Sequence, residues 1–124
     1  MENKTSRDLK VLFLFTKRPY DGTDTTWHML NLAMTYVAYC DNVTIFLMSQ
    51  GMELALKGIN PPVGYTNLRE LLLESMRLGA SVKICKTCIE RCTNCQGDFV
   101  SGVEVSDRVD LMNLINVSDK FIQV

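Results

Sequence analysis

Leu9-Lys10-Val11-Leu12-Phe13-Leu14-Phe15 is a short, nearly continuous apolar run rich in β-forming residues. An unbroken run of this length suits a strand buried on both faces, which is the pattern of a parallel sheet. Asn42-Val43-Thr44-Ile45-Phe46-Leu47-Met48 repeats it, and Ser81-Val82-Lys83-Ile84-Cys85 is a third, shorter run. Gly102-Val103-Glu104-Val105 and Lys120-Phe121-Ile122-Gln123-Val124 are weaker fourth and fifth strands.

The segments between these runs carry helical signals. Asp24-Thr25-Thr26 caps a helix expected over residues 25–39, with Trp27, Leu30, Met34 and Val37 spaced for one face. A shorter helix is expected over residues 50–57, closed by Gly58. Asn60-Pro61-Pro62-Val63-Gly64-Tyr65 breaks regular structure. Thr66 or Asn67 then caps a helix over residues 68–78 with a stripe of Leu68, Leu71, Leu72 and Met76, and residues 107–117 repeat the pattern. Strands alternating with helices imply crossover connections and a three-layer α/β/α sandwich of about five mostly parallel strands. The whole chain, residues 1–124, reads as one domain with residues 1–8 as a frayed N-terminus. Ligands and reactive groups of such sheets collect beyond the carboxyl ends of the strands. Residues 16–24 and the segment that begins at Cys85 are the loops in that position.

Composition narrows the function. With 47% hydrophobic and 22% charged residues, the chain has the balance of a globular domain rather than a disordered one. No apolar stretch is long enough for a bilayer, and residues 1–8 lack the apolar core of a secretory signal, so a cytoplasmic location is expected. A net charge of −1 offers no basic face for phosphates, so no direct nucleic-acid binding is expected, and no membrane association. There is no Gly-rich phosphate-binding sequence either, so the α/β pattern is not read as nucleotide binding.

Four of the five cysteines fall within eleven residues, at Cys85, Cys88, Cys92 and Cys95. In a reducing compartment these are thiols rather than structural disulfides. On a helix, offsets of three, seven and ten place all four on one stripe about 15 Å long, whereas ligands of one tetrahedral zinc converge at about 2.3 Å from it. A turn at Thr93-Asn94, or a metal shared between subunits, keeps zinc or an iron–sulfur cluster on all four cysteines as the alternative reading. Small buried hydrophobes are the bland reading. Thiol chemistry is the first reading, with no cofactor expected. Cys85 ends a strand before a helix, where backbone amides and the cations Lys86, Arg91, Lys17 and Arg18 are expected to favour the thiolate. Such a thiolate attacks sulfane sulfur and carries it as a persulfide, and Cys88 is placed to resolve it. Cys40, at the end of the first long helix, reads as a buried structural residue.

The segment Val82-Lys83-Ile84-Cys85-Lys86-Thr87-Cys88, preceded by Leu78-Gly79-Ala80, resembles the DsrE/DsrF family, and especially its YchN-like branch. Pro19-Tyr20 with Gly22, Phe46-Leu47-Met48-Ser49, the stretch from Gly58 through Pro61 to Gly64-Tyr65, Gly102-Val103-Glu104 and Ser118-Asp119-Lys120 match in the same order. The resemblance implies a flavodoxin-like fold assembled as a homo-oligomer, a trimer or hexamer. It also implies a sulfurtransferase-type carrier whose cysteine after the third strand, here Cys85, relays sulfur between a donor and an acceptor protein. Cys88 matches a second cysteine of the YchN-like branch, and Tyr20 joins the supporting positions. Two departures stand out: Arg91-Cys92 replaces the family's Arg-Gly pair, and Asp21 interrupts its Pro-Tyr-Gly loop.

Three other groups read as ordinary structure. His28, the only histidine, sits beside Trp27 as a surface or packing residue. Asp21 and Asp24 read as turn and cap residues. The seven methionines read as core or subunit contacts.

Overall fold

In the computed structural model, residues 6–91 and 98–124 are described. Five strands, β1 (Lys10–Phe15), β2 (Asn42–Leu47), β3 (Ser81–Cys85), β4 (Glu104–Ser106) and β5 (Lys120–Gln123), form one sheet in the order β4-β3-β2-β1-β5. Every pairing is parallel, from Lys10 opposite Asn42 in β1–β2 to Leu12 opposite Phe121 in β1–β5. β1 and β2 are central and enclosed on both faces, which is why their runs are almost wholly apolar. This is the expected flavodoxin-like α/β sheet.

Helices α1 (Thr25–Tyr39) and α2 (Leu68–Arg77) cover one face, packing Leu30, Ala33, Leu68 and Leu72 onto Phe13, Phe15, Ile45 and Ile84. Helix α4 (Arg108–Val117) covers the other, with Leu111 over Leu12, Leu14 and Phe46. A six-residue helix, α3 (Lys86–Arg91), follows β3 directly. Asn67 caps α2 through Glu70 N–H, and Asp107 caps α4 in a reciprocal capping box with Asp110.

Four details depart from the sequence reading. The segment expected as a helix over residues 50–57 is a tighter 3-10 helix, Ser49–Ala55. A Cβ on Gly51 would lie 2.1 Å from the Phe15 carbonyl oxygen, so this segment rests backbone against backbone on the end of β1. The fourth strand starts at Glu104, because Gly102 turns the chain at φ +95 with Met76 packed against it. Within the segment read as an N-terminal end, Ser6–Asp8 is a 3-10 turn, and Arg7 bonds Asp41 through its guanidinium at 2.8 Å and its carbonyl at 3.1 Å. Asp24 occupies the N-cap position of α1, but its side chain makes no cap hydrogen bond.

Candidate thiol site

Cys85 is the last residue of β3 and Cys88 lies in the first turn of α3. The i, i+3 offset brings Cys88 N–H to the Cys85 sulfur, donating at 3.4 Å. Ser49 N–H in turn donates to the Cys88 sulfur at 3.3 Å. Ser49 is aimed by a left-handed backbone, φ 55, which costs a non-glycine residue about 1 kcal/mol. Two thiols and two amide donors thus meet at the carboxyl edge of the sheet, between the ends of β2 and β3.

Their surroundings differ. Cys85 is 1% exposed and packs with Leu12, Leu14, Phe46 and Leu111 on the α4 side of the sheet. Cys88 is half-buried and touches the clusters on both faces. Burial raises the Cys85 pKa, and the Cys88 side chain raises it further, against smaller downward effects from the amides of Cys88 and Thr87. The expectation of a thiolate favoured at Cys85 is therefore corrected: desolvation in an apolar pocket outweighs the nearby donors.

Two of the expected supporting residues have partners elsewhere. Arg18 pairs with Glu53 of the 3-10 helix at 3.1 Å. Tyr20 instead pins the start of α2, its hydroxyl donating to Thr66 O at 3.0 Å and accepting from Leu68 N–H at 2.9 Å. Lys17, Lys86 and Arg91 are exposed. Cys40 closes α1, 4% exposed, with its pKa raised first by burial and then by Asp41. Asp21 accepts from Thr23 N–H and hydroxyl in a local turn, and His28 sits exposed, edge-to-face with Trp27 at 4.9 Å.

Among the described residues no three His, Cys, Asp or Glu side chains come together as a metal-ligand set. Cys92 and Cys95, on which the four-cysteine reading depends, lie outside the described residues. Ser49 is the participant that sequence reasoning missed. It contributes a backbone amide, and its place in the Phe46-Leu47-Met48-Ser49 match was the only signal available.

The family profile of the DsrE/DsrF-like proteins matches residues 9–124, and the chain belongs to this family, which is associated in general with sulfur relay. An uncharacterized protein of Methanopyrus kandleri is 33% identical over 112 residues, 90% of this chain and 91% of its own. YchN of Escherichia coli K12 is 28% identical over 113 residues, 90% of this chain and 95% of its own. The crystal structure of YchN from E. coli superposes with a TM-score of 0.81 at 27% identity, covering 94% of this chain and 99% of that one. A protein of unknown function from Methanobacterium thermoautotrophicum shares the fold, with a TM-score of 0.71 at 15% identity and coverage of 94% and 100%. Among the described residues no helix is long and apolar enough to cross a membrane.

Proposed function

We propose that this protein is a sulfur carrier in which the Cys85–Cys88 pair takes sulfane sulfur from a donor protein as a persulfide and passes it to an acceptor. The observation that carries this reading is the pairing itself: two thiols three residues apart at the strand edge, joined by the Cys88 N–H to Cys85 bond and held by Ser49.

The difference in burial orders the steps. Cys88 is the thiol that a donor protein reaches, and Cys85 stands behind it. The Cys88 thiol loses its proton to solvent, and the thiolate attacks the outer sulfur of a donor persulfide. A new S–S bond forms at Cys88, the donor's S–S bond breaks, and the donor leaves as a thiolate. Delivery is the same exchange in reverse, with an acceptor thiolate attacking the outer sulfur and Cys88 leaving. Where no acceptor arrives, Cys85 attacks the Cys88 sulfur. The two cysteines are oxidised to a disulfide, and the sulfane sulfur takes their two electrons and departs as hydrosulfide. The raised pKa of Cys85 keeps this discharge slow at neutral pH, because only the thiolate attacks.

Incubation with glutathione persulfide, read by intact-protein mass spectrometry, tests the assignment. Cys88→Ser is expected to lose the added sulfur, and Cys85→Ser to keep it for longer than the native chain. Loading that survives in Cys88→Ser and vanishes in Cys85→Ser would return the receiving role to Cys85. The carrier is further proposed to work as a closed homo-oligomer, a trimer or hexamer. The exposed apolar surface of α4, with Val109, Met112 and Val117, supports this together with the family.

A further inference from the structure

A cavity of about 270 Å³ opens between the loop after β1, the start of α1 and the loop before α2. Tyr20, Trp27 and Tyr65 line it, together with Asp24. From these residues we infer a binding site for an organic cation, an ammonium or methylated ammonium group, separate from the thiol pair and independent of its proposed role.

The aromatic rings are prearranged. Tyr20 is fixed at its hydroxyl by Thr66 and Leu68, and Tyr65 meets it edge-to-face with centroids 6.4 Å apart. Gly64, at φ +86, makes the turn that presents Tyr65, whose amide bonds back to Pro62 O at 3.0 Å. Trp27 and Tyr65 remain 39% and 49% exposed, so two large aromatic side chains stand open to solvent at the cavity. Aromatic faces grouped with a carboxylate attract a weakly hydrated cation through ring quadrupole and charge together.

Asp24 sets the sign. It holds the N-cap position of α1 without capping, and among the described residues it is the one acidic residue that lines the cavity. No basic side chain lines the cavity among the described residues. Two of the leading amides of α2 are already taken, Leu68 N–H by Tyr20 and Glu70 N–H by Asn67. The volume lies just below the range of about 300–1,000 Å³ typical of small-molecule pockets, which fits one cationic group rather than a large ligand. Its position, in the loops beyond the carboxyl ends of the strands, is where sheets of this type bind ligands.

Trp27 is the only tryptophan, so its fluorescence reports on this cavity directly. The full chain is titrated with tetramethylammonium chloride, with an acetylated and amidated trimethyllysine, and with sodium phosphate, all against sodium chloride at matched ionic strength. A saturable change with a cation, and none with phosphate, is expected. Saturation by tetramethylammonium alone identifies a free small cation, and tighter binding of the trimethyllysine identifies a protein side chain. Asp24→Asn, which removes the charge at nearly constant size, and Tyr65→Ala, on an exposed loop, are each expected to weaken binding roughly threefold or more. The same cation response is expected in the Cys85→Ser/Cys88→Ser double variant. Saturation by phosphate rather than by the cations, a response no larger than that to sodium chloride, or unchanged affinity in both cavity variants overturns the assignment.

Discussion

Cys85 closes a strand whose alternate residues face opposite sides of the sheet, and it belongs to the apolar cluster of Leu12, Leu14, Phe46 and Leu111. A thiolate there loses its hydration without gaining a charged partner, so the thiol holds its proton to higher pH in the folded chain than in the unfolded one. Folding therefore draws on a neutral Cys85 at and below the ordinary thiol range, and that contribution fades as pH rises through the folded value. Cys40 acts in the same direction, again mainly through burial. Iodoacetamide labelling of the folded protein at neutral pH is expected to modify Cys88 before Cys85. Cys85 labelling should rise only on the alkaline side of the ordinary thiol range. Equal labelling of the two at pH 7 would contradict the burial on which their order of action rests.

The elements that position the thiols are β3, α3 and the 3-10 helix Ser49–Ala55. Gly51 is the point where this last segment seats on β1, and no side chain fits between them. Gly51→Ala is expected to destabilise the protein by about 3 kcal/mol, since backbone rather than a flexible side chain must yield. Urea unfolding measures the loss, and a change below about 0.5 kcal/mol would show that the seat is looser than described. Most of the elements were legible in the sequence. β3 falls where its apolar run places it; α1 has the expected bounds, but its buried face holds Thr26, Leu30 and Ala33 while Trp27 of the expected stripe is exposed. The thiol site was only half legible. The Cys85–Cys88 spacing was readable, whereas the Ser49 amide arises from one left-handed dihedral that no residue type announces. The burial of Cys85 was missed because its cluster is assembled from Leu12, Leu14, Phe46 and Leu111, which lie far from it along the chain.

At the scale of the whole molecule, one face of the sheet is thinly covered. α4 docks through Leu111 and Leu114, while Val109, Met112 and Val117 on the same helix are 59%, 52% and 54% exposed, and Phe121 of β5 is 42% exposed. An apolar helix surface of this kind on a small domain fits subunit contact, and light scattering at micromolar concentration is expected to give three or six times the chain mass. A monomer across that range would contradict the proposed assembly. The carrier reading itself meets its most direct test in peptide mapping of the native chain after loading with glutathione persulfide. Cleavage after Lys86 and Arg91 places Cys85, Cys88 and the Cys92/Cys95 pair on three separate peptides. The account predicts the added sulfur on the Cys88 peptide, followed over time by a disulfide joining it to the Cys85 peptide. Sulfur found only on the peptide that holds Cys92 and Cys95 would contradict it.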